Sequence, residues 1–124
     1  MYAHRRLKLV DNIEENKEIV NRYRQLLKVS KWSREKGDIT VIRKAFEMAV
    51  AAHSSMRRKS VEPYIYHPIA VARIAAEEIG LGTTSIVCAL LHDVVEDTDI
   101  TLDDIEREFD AKVANIIDGL TKIS

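Results

Sequence analysis

The sequence has few residues that cross-link a small fold or interrupt its secondary structure: one cysteine, two prolines and four glycines in 124 residues. The lone cysteine, Cys88, excludes an internal disulfide, and a small core residue of this kind fits a cytoplasmic protein. We therefore expect a single cytoplasmic domain whose stability rests on a packed hydrophobic core, which a chain of this length can bury.

An excess of either charge is also missing. Lysine and arginine together number 19, aspartate and glutamate number 20, and the formal net charge is −1. This balance gives no reason to expect nucleic acid or a membrane surface as a partner. No apolar run approaches the roughly 18 residues that cross a bilayer. The basic start of the chain, which includes His4, lacks the apolar segment of a signal peptide, and we assign His4 no function.

Aromatic residues are few, at 6 %, whereas apolar residues make up 46 % of the chain. Alanine, isoleucine, leucine and valine recur at the spacing of amphipathic helices, which predicts an all-α fold. The predicted helices cover residues 11–30, 39–53, 68–79, 84–97, 102–109 and 111–122. Asp38 is the expected N-cap of the second helix, and Gly80 is expected to end the third. Thr101 and Asp104 have the spacing of a capping box before the fifth.

The predicted fourth helix ends within "LLHDVVEDTD", residues 90–99, where an apolar run is followed by a His-Asp pair and a Glu-Asp pair. An apolar helix of this kind is buried, and burying an unpaired charge is costly. His92 and Glu96 lie one above the other on a helix surface. Asp93 and Asp97 do the same on the adjacent strip. Carboxylates crowded within an arc of roughly 140° repel one another, and a divalent cation beside them removes that penalty.

Nitrogen and oxygen ligands together suit a first-row transition metal such as Mn²⁺ or Fe²⁺, and the absence of thiolate ligands argues against structural zinc. His67, just before Pro68 at the start of the third helix, is the strongest candidate for a further ligand. His53, at the end of the second helix, is expected to be structural or to face the substrate. Two alternatives remain. His67 could instead cap a helix or belong to the core, and Glu96 and Asp97 could belong to a solvated helix end.

The segment "RRKS", residues 57–60, lies in the loop before the third helix. Consecutive cations are often only solvated surface, but arginine and lysine also bind phosphate oxygens well. Beside a metal site they suggest hydrolysis of a phosphate ester or pyrophosphate, in which the metal would polarise a phosphoryl oxygen. Glu96 or Asp97 would then take a proton from water or fix its position.

The segments "RKSVEPYIYHP", "LLHDVVEDT" and "DGLTK" occur in the order, and close to the spacing, of the N-terminal hydrolase domain of RelA/SpoT-type proteins. The chain resembles that domain from about residue 45 to residue 122. These proteins belong to the HD phosphohydrolase superfamily. The resemblance implies an HD-domain helical bundle, with residues 1–37 as an N-terminal helical extension and residues 38–124 as a partial hydrolase domain. We expect a fragment of a longer protein, truncated on the C-terminal side of this domain.

The resemblance also implies an activity, namely removal of the 3′-pyrophosphate from the alarmone (p)ppGpp. The products are GDP or GTP and pyrophosphate, and the implied cofactor is Mn²⁺. The family's motifs assign metal ligands to three positions of this sequence, which are His67, His92 and Asp93.

The same match assigns the remaining site residues. The pair that acts in hydrolysis falls on Glu96 and Asp97, and the loop that lies at the nucleotide falls on Arg58, Lys59 and Ser60. Members of the family that only synthesise the alarmone lose the "HD" and "ED" pairs. Both pairs are intact in this sequence, so the parent protein is expected to hydrolyse the alarmone.

The sequence departs from the family in three respects. Ser55, Met56 and Val61 stand where the family usually has glycine, glutamine and glycine. The family's fourth ligand is an aspartate beyond the last helix, and Asp118 comes too early to match it. The synthetase domain that commonly follows is also absent from this sequence. These departures lead us to expect that the chain by itself holds a metal ion weakly or not at all, so its own activity stays open although the parent protein is expected to hydrolyse the alarmone. They also lead us to expect self-association of the fragment through uncovered apolar surface.

Two alternative functions remain open at this point. Besides alarmone hydrolysis, the chain could be an HD-type phosphohydrolase that acts on another nucleotide or a nucleotide-binding regulatory module without turnover. Activity towards a panel of nucleotides separates the first alternative from alarmone hydrolysis, and binding measured apart from turnover identifies the second.

Overall fold

The computed structural model describes residues 12–123, and within this range the chain is helical and forms no β-strand. The helices are α1 (Ile13–Val29), α2 (Asp38–His53), α3 (Tyr66–Ile74), α4 (Thr83–Asp97), α5 (Leu102–Glu108) and α6 (Ala111–Ile123). The all-α prediction is therefore confirmed. His4 and the start of the predicted N-terminal extension lie outside the described residues. Within the described range, no helix has both the length and the apolar character that a bilayer crossing requires.

Helix α4 lies at the centre of the bundle, because it is apolar on most of its sides. It packs against α2, α3 and α6, while α5 packs on α6 and α1 packs on α3. Ile86, Leu90 and Leu91 of α4 are fully buried, as the sequence predicts. Glu96 and Asp97, at the C-terminal end of α4, are exposed. The ionisable end of this helix therefore reaches the surface where its neighbours no longer cover it.

Helix α1 shares this core, although it lies in the predicted N-terminal extension. Ile19 and Leu26 are fully buried within the same hydrophobic cluster as the residues of α4. The ring of Tyr23 stacks on the ring of Phe46 in α2, with 4.1 Å between the centroids. The domain boundary at residue 37 stays a prediction.

Two predicted helix boundaries are confirmed by hydrogen bonds and dihedral angles. The Thr101 hydroxyl accepts from the Asp104 amide at 3.2 Å, and the Asp104 carboxylate accepts from the Thr101 amide at 3.0 Å, which completes a capping box. Gly80 ends the third helical segment with a φ of 77°, which glycine adopts without strain. The turn before it, Ala75–Ile79, is a π-helix, a departure that hydrophobic spacing does not predict.

The predicted N-cap of α2 is wrong. Gly37, with a φ of 93°, occupies the cap position, and Asp38 is the first residue of the helix. The Asp38 carboxylate instead accepts hydrogen bonds from the Glu35 amide at 2.7 Å and the Thr83 hydroxyl at 2.9 Å. Partners in a local turn and in a distant helix therefore replace the expected capping bond.

One face of α6 is apolar and exposed. Ile116, Leu120 and Ile123 recur on it at helical spacing, and all three are exposed. This face is where the expected self-association would occur, and that association stays a prediction.

The loop between α2 and α3 folds back on itself in a tight turn. The Val61 amide donates to the Arg58 carbonyl at 2.8 Å, and the Arg58 amide donates to the Glu62 carbonyl at 3.0 Å. Val61 has a φ of 72° and is the only non-glycine residue in the described range with a positive φ. A β-branched residue is strained in this left-handed region, and glycine is usual at this position in the family that the chain resembles.

Replacing Val61 with glycine should therefore stabilise the protein. Glycine relieves the left-handed strain, and little packing is lost because the Val61 residue is 70 % exposed. We expect Val61→Gly to raise the free energy of unfolding by about 1 kcal/mol, as measured by denaturant titration. Val61→Ala is the matched control, since alanine keeps a Cβ at the same φ and should gain much less. Lower stability of Val61→Gly would show that the backbone conformation is not the source of strain.

Candidate metal centre

Three of the predicted site residues converge at one end of the bundle. His67, His92 and Asp93 each offer one ligand atom, and these atoms lie within 4.8 Å of one another. The His92 Nε2 atom is 3.1 Å from Asp93 Oδ1, and the His67 Nε2 atom is 3.5 Å from Asp93 Oδ2. No other group of this kind occurs within residues 12–123. We call these three residues the metal cluster.

The packing of α3 on α4 produces this convergence. His92 and Asp93 are neighbours in α4 and follow directly after its fully buried stretch. His67 lies in the first turn of α3 beside the buried Pro68, and its amide donates to the Tyr64 carbonyl at 3.0 Å. The turn before α3 therefore fixes the position of His67, and helix packing brings that side chain across to α4.

A backbone hydrogen bond determines which nitrogen of His92 faces the metal cluster. The Nδ1 atom lies 2.8 Å from the Ala89 carbonyl oxygen, so Nδ1 carries a hydrogen and donates it. The Nε2 atom is directed at Asp93. The hydrogen bond with Asp93, and to a lesser degree the Ala89 carbonyl, raises the pKa of His92. The same hydrogen bond with His92, supported by Tyr64, lowers the pKa of Asp93.

The environment of His67 favours its neutral form. Burial lowers the pKa of His67, and the Asp93 carboxylate opposes that effect only in part. Neutral imidazole is the form that binds metal ions. Two imidazole nitrogens and one carboxylate oxygen make a donor set that suits a divalent first-row transition metal. The second nitrogen of His92 is held by a backbone carbonyl, as is usual for histidine ligands, so the side chains present fit a metal ion.

The two other carboxylate residues of α4, Glu96 and Asp97, border the metal cluster without joining it. The Asp97 Oδ2 atom is 3.2 Å from the Tyr64 hydroxyl, which also donates to Asp93 Oδ2 at 2.9 Å. The charge of Glu96 helps to raise the pKa of His92. Both carboxylates are exposed, so water reaches the side of the cluster on which they lie.

A family model described as "HD domain" matches residues 45–124. The chain belongs to the HD domain family. HD domains are metal-dependent, which agrees with the three converging donor side chains.

Three curated relatives of this HD domain are much longer proteins. The chain is 45 % identical over 98 residues to a probable GTP pyrophosphokinase of Mycobacterium leprae, an overlap of 79 % of this chain. It is 45 % identical over 85 residues to the guanosine-3′,5′-bis(diphosphate) 3′-pyrophosphohydrolase of Vibrio cholerae, and 44 % identical over 82 residues to the Aquifex aeolicus protein of the same name. Those two overlaps are 68 % and 66 % of this chain. In all three cases the chain spans 12 % of the relative's length. The resemblance to RelA/SpoT-type proteins is thereby confirmed.

The basic loop of the HD domain is anchored to α1 through Arg57. The Arg57 guanidinium donates to both carboxylate oxygens of Glu15 at 2.7 Å, and it also donates to the Val61 carbonyl at 2.9 Å. Arg57 therefore has a structural partner, and the predicted substrate-binding residues are the three that follow it in the sequence.

Those three residues, Arg58, Lys59 and Ser60, are exposed at the turn. The Nε atom of Arg58 is 3.9 Å from a carboxylate oxygen of Glu62, a distance that leaves the guanidinium only loosely paired. The charge of Arg58 also contributes, after burial, to lowering the pKa of His67.

Sequence reasoning assigned no role to Tyr64, which contacts the carboxylates of α4. The segment "EPYIY" contains two tyrosines, and nothing in its pattern shows which hydroxyl faces Asp93. His53 is only 1 % exposed, and its ring centroid lies 4.7 Å from that of Tyr64. Burial lowers the pKa of His53, which lies outside the three-ligand group. Its position supports the predicted structural role.

Metal binding by this domain should weaken as the pH falls. A metal ion competes with the proton that His92 shares with Asp93, and that contact raises the pKa of His92 above its ordinary value of 6.5. The competition therefore begins above pH 6.5, and protons should be released on binding near neutral pH. Calorimetric titration with Mn²⁺ in buffers of different ionisation enthalpy measures both effects. A constant affinity between about pH 8 and about pH 6 would contradict the involvement of His92.

Proposed function

We propose that this HD domain removes the 3′-pyrophosphate from (p)ppGpp, giving GDP or GTP and pyrophosphate, with Mn²⁺ as cofactor. The observation that carries the proposal is the convergence of His67, His92 and Asp93 beside two exposed carboxylates. The substrate comes from the relatives named as guanosine-3′,5′-bis(diphosphate) 3′-pyrophosphohydrolases. Because relatives named as GTP pyrophosphokinases match as well, we infer that the domain serves a bifunctional alarmone synthetase/hydrolase of the stringent response.

In this proposal the metal cluster holds the cation. His67 and His92 contribute imidazole nitrogens and Asp93 contributes a carboxylate oxygen, a mixed set that suits Mn²⁺. When bound, the cation supplies Lewis-acid polarisation of a phosphoryl oxygen. His67 and His92 are half-buried and Asp93 is buried, so the protein covers part of the cluster.

The exposed pair Glu96 and Asp97 is assigned to proton transfer from the attacking water. One of the two carboxylates takes a proton from the attacking water, whose oxygen forms the new bond to phosphorus. The bond between that phosphorus and the ribose 3′ oxygen breaks, and the 3′ oxygen gains a proton from solvent. The Tyr64 hydroxyl lies 3.2 Å from Asp97 Oδ2 and donates to Asp93 Oδ2 at 2.9 Å, which supports a role for Asp97 beside the metal cluster.

The turn formed by Arg58, Lys59 and Ser60, here called the basic turn, binds the anionic substrate. Arg58 presents a planar fork of donors that matches phosphate oxygens, and Lys59 adds a point charge. Ser60 adds a hydroxyl donor. All three are exposed, and α1 holds the turn in place through the contact of Arg57 with Glu15.

The expected cytoplasmic location stays a prediction.

The role of Asp97 can be tested with a neutral side chain of the same shape. Asp97→Asn cannot accept a proton from water, so we expect pyrophosphate release from ppGpp in the presence of Mn²⁺ to fall by about 100-fold or more. Chromatographic separation of GDP from ppGpp measures the rate. Asp99→Asn, which alters an exposed aspartate two residues further on, is the matched control and should leave the rate unchanged.

Unchanged hydrolysis in both Asp97→Asn and Asp93→Ala would contradict the assigned site.

The activity of the unsubstituted protein separates the proposed function from its alternatives. Hydrolysis of another nucleotide, with ppGpp left intact, would favour an HD-type phosphohydrolase of different specificity. Calorimetric binding of Mn²⁺ and ppGpp without turnover would favour a nucleotide-binding regulatory module.

A further inference from the structure

A single phenol connects the metal cluster to the proposed proton-transfer pair. The Tyr64 hydroxyl donates to Asp93 Oδ2 at 2.9 Å and lies 3.2 Å from Asp97 Oδ2. Asp93 and Asp97 are four residues apart, on adjacent turns of α4, so the hydroxyl spans one helical turn. Two carboxylates that share one neutral donor repel each other less than they would without it.

The position of this hydroxyl is set by contacts on both sides of the Tyr64 ring. The ring centroid is 4.7 Å from that of His53 in α2 and 5.9 Å from that of His67 in α3. The Tyr64 amide donates to the Met56 carbonyl at 3.0 Å, and the Tyr64 carbonyl accepts from the His67 amide at 3.0 Å. Ring and backbone are therefore both held, which directs the hydroxyl to one place on α4.

The Tyr64 hydroxyl is the donor in these contacts, because an ionised carboxylate only accepts a hydrogen bond.

We propose that Tyr64 is a positioning residue whose hydroxyl fixes two side chains relative to each other: the metal ligand Asp93, and Asp97 of the proposed proton-transfer pair. The inference rests on the proposed function, which assigns Asp93 to the metal and the pair Glu96 and Asp97 to the water. Oriented partners of metal ligands typically change metal affinity or activity by about 10- to 100-fold when they are removed. Tyr64 belongs to this class through its contact with Asp93, and the contact with Asp97 extends its effect to proton transfer.

Tyr64→Phe isolates the hydroxyl, since phenylalanine keeps the ring between His53 and His67. We expect the dissociation constant for Mn²⁺, measured by calorimetry, to rise about tenfold. With Mn²⁺ at saturation, kcat for pyrophosphate release from ppGpp should fall by about 10- to 100-fold while KM stays unchanged, because Tyr64 lies at the carboxylates rather than in the basic turn. Thermal unfolding of the variant checks that the fold is retained.

Tyr66→Phe is the matched control. It removes a hydroxyl two residues away, from a ring that packs against the Arg22 guanidinium at 4.0 Å, and should leave both quantities unchanged. Mn²⁺ affinity and kcat in Tyr64→Phe equal to those of Tyr66→Phe would overturn the inference. An unsubstituted protein that binds Mn²⁺ without hydrolysing ppGpp would refute the proposed function instead. The affinity comparison would still decide whether Tyr64 orients Asp93.

Discussion

The carboxylate of Asp93 lies in a helix that is otherwise apolar, with only 8 % of the residue exposed, and its charge must be compensated. His92 compensates this charge from the same helix. Tyr64 compensates it from the loop between α2 and α3, and His67 does so from the start of α3. Each partner is itself fixed by a backbone contact, so the compensation depends on the correct packing of three segments. The site and the fold are for this reason specified together.

The bundle supplies this compensation by surrounding α4 with the elements that carry the partners. Helix α2 ends at His53 beside the Tyr64 ring, and α3 begins one residue before His67. The loop between them carries the basic turn, and its Arg57 is bound to Glu15 of α1. The N-terminal helix thereby supports the proposed substrate-binding turn, although it contributes no residue to the metal cluster.

Features that depend on local sequence were predictable, and features that depend on packing were not. The capping box of Thr101 and Asp104 needs only residues three apart, and the ionisable end of α4 follows from helical periodicity. Asp38 failed as a cap because its carboxylate found Thr83 in a distant helix. The π-helical turn before Gly80 and the reach of Tyr64 across to α4 likewise arise from tertiary contacts. The convergence of His67 with α4 was inferred from ligand chemistry, since spacing alone does not bring α3 and α4 together.

The central claim is that His67, His92 and Asp93 share one cation. Anomalous diffraction at the manganese absorption edge, from crystals grown with Mn²⁺, tests it directly because it locates the ion independently of activity. The account predicts a single strong peak within coordination distance of His67 Nε2, His92 Nε2 and an oxygen of Asp93. A peak elsewhere on the molecule, or none at a Mn²⁺ concentration that saturates binding in solution, would contradict it.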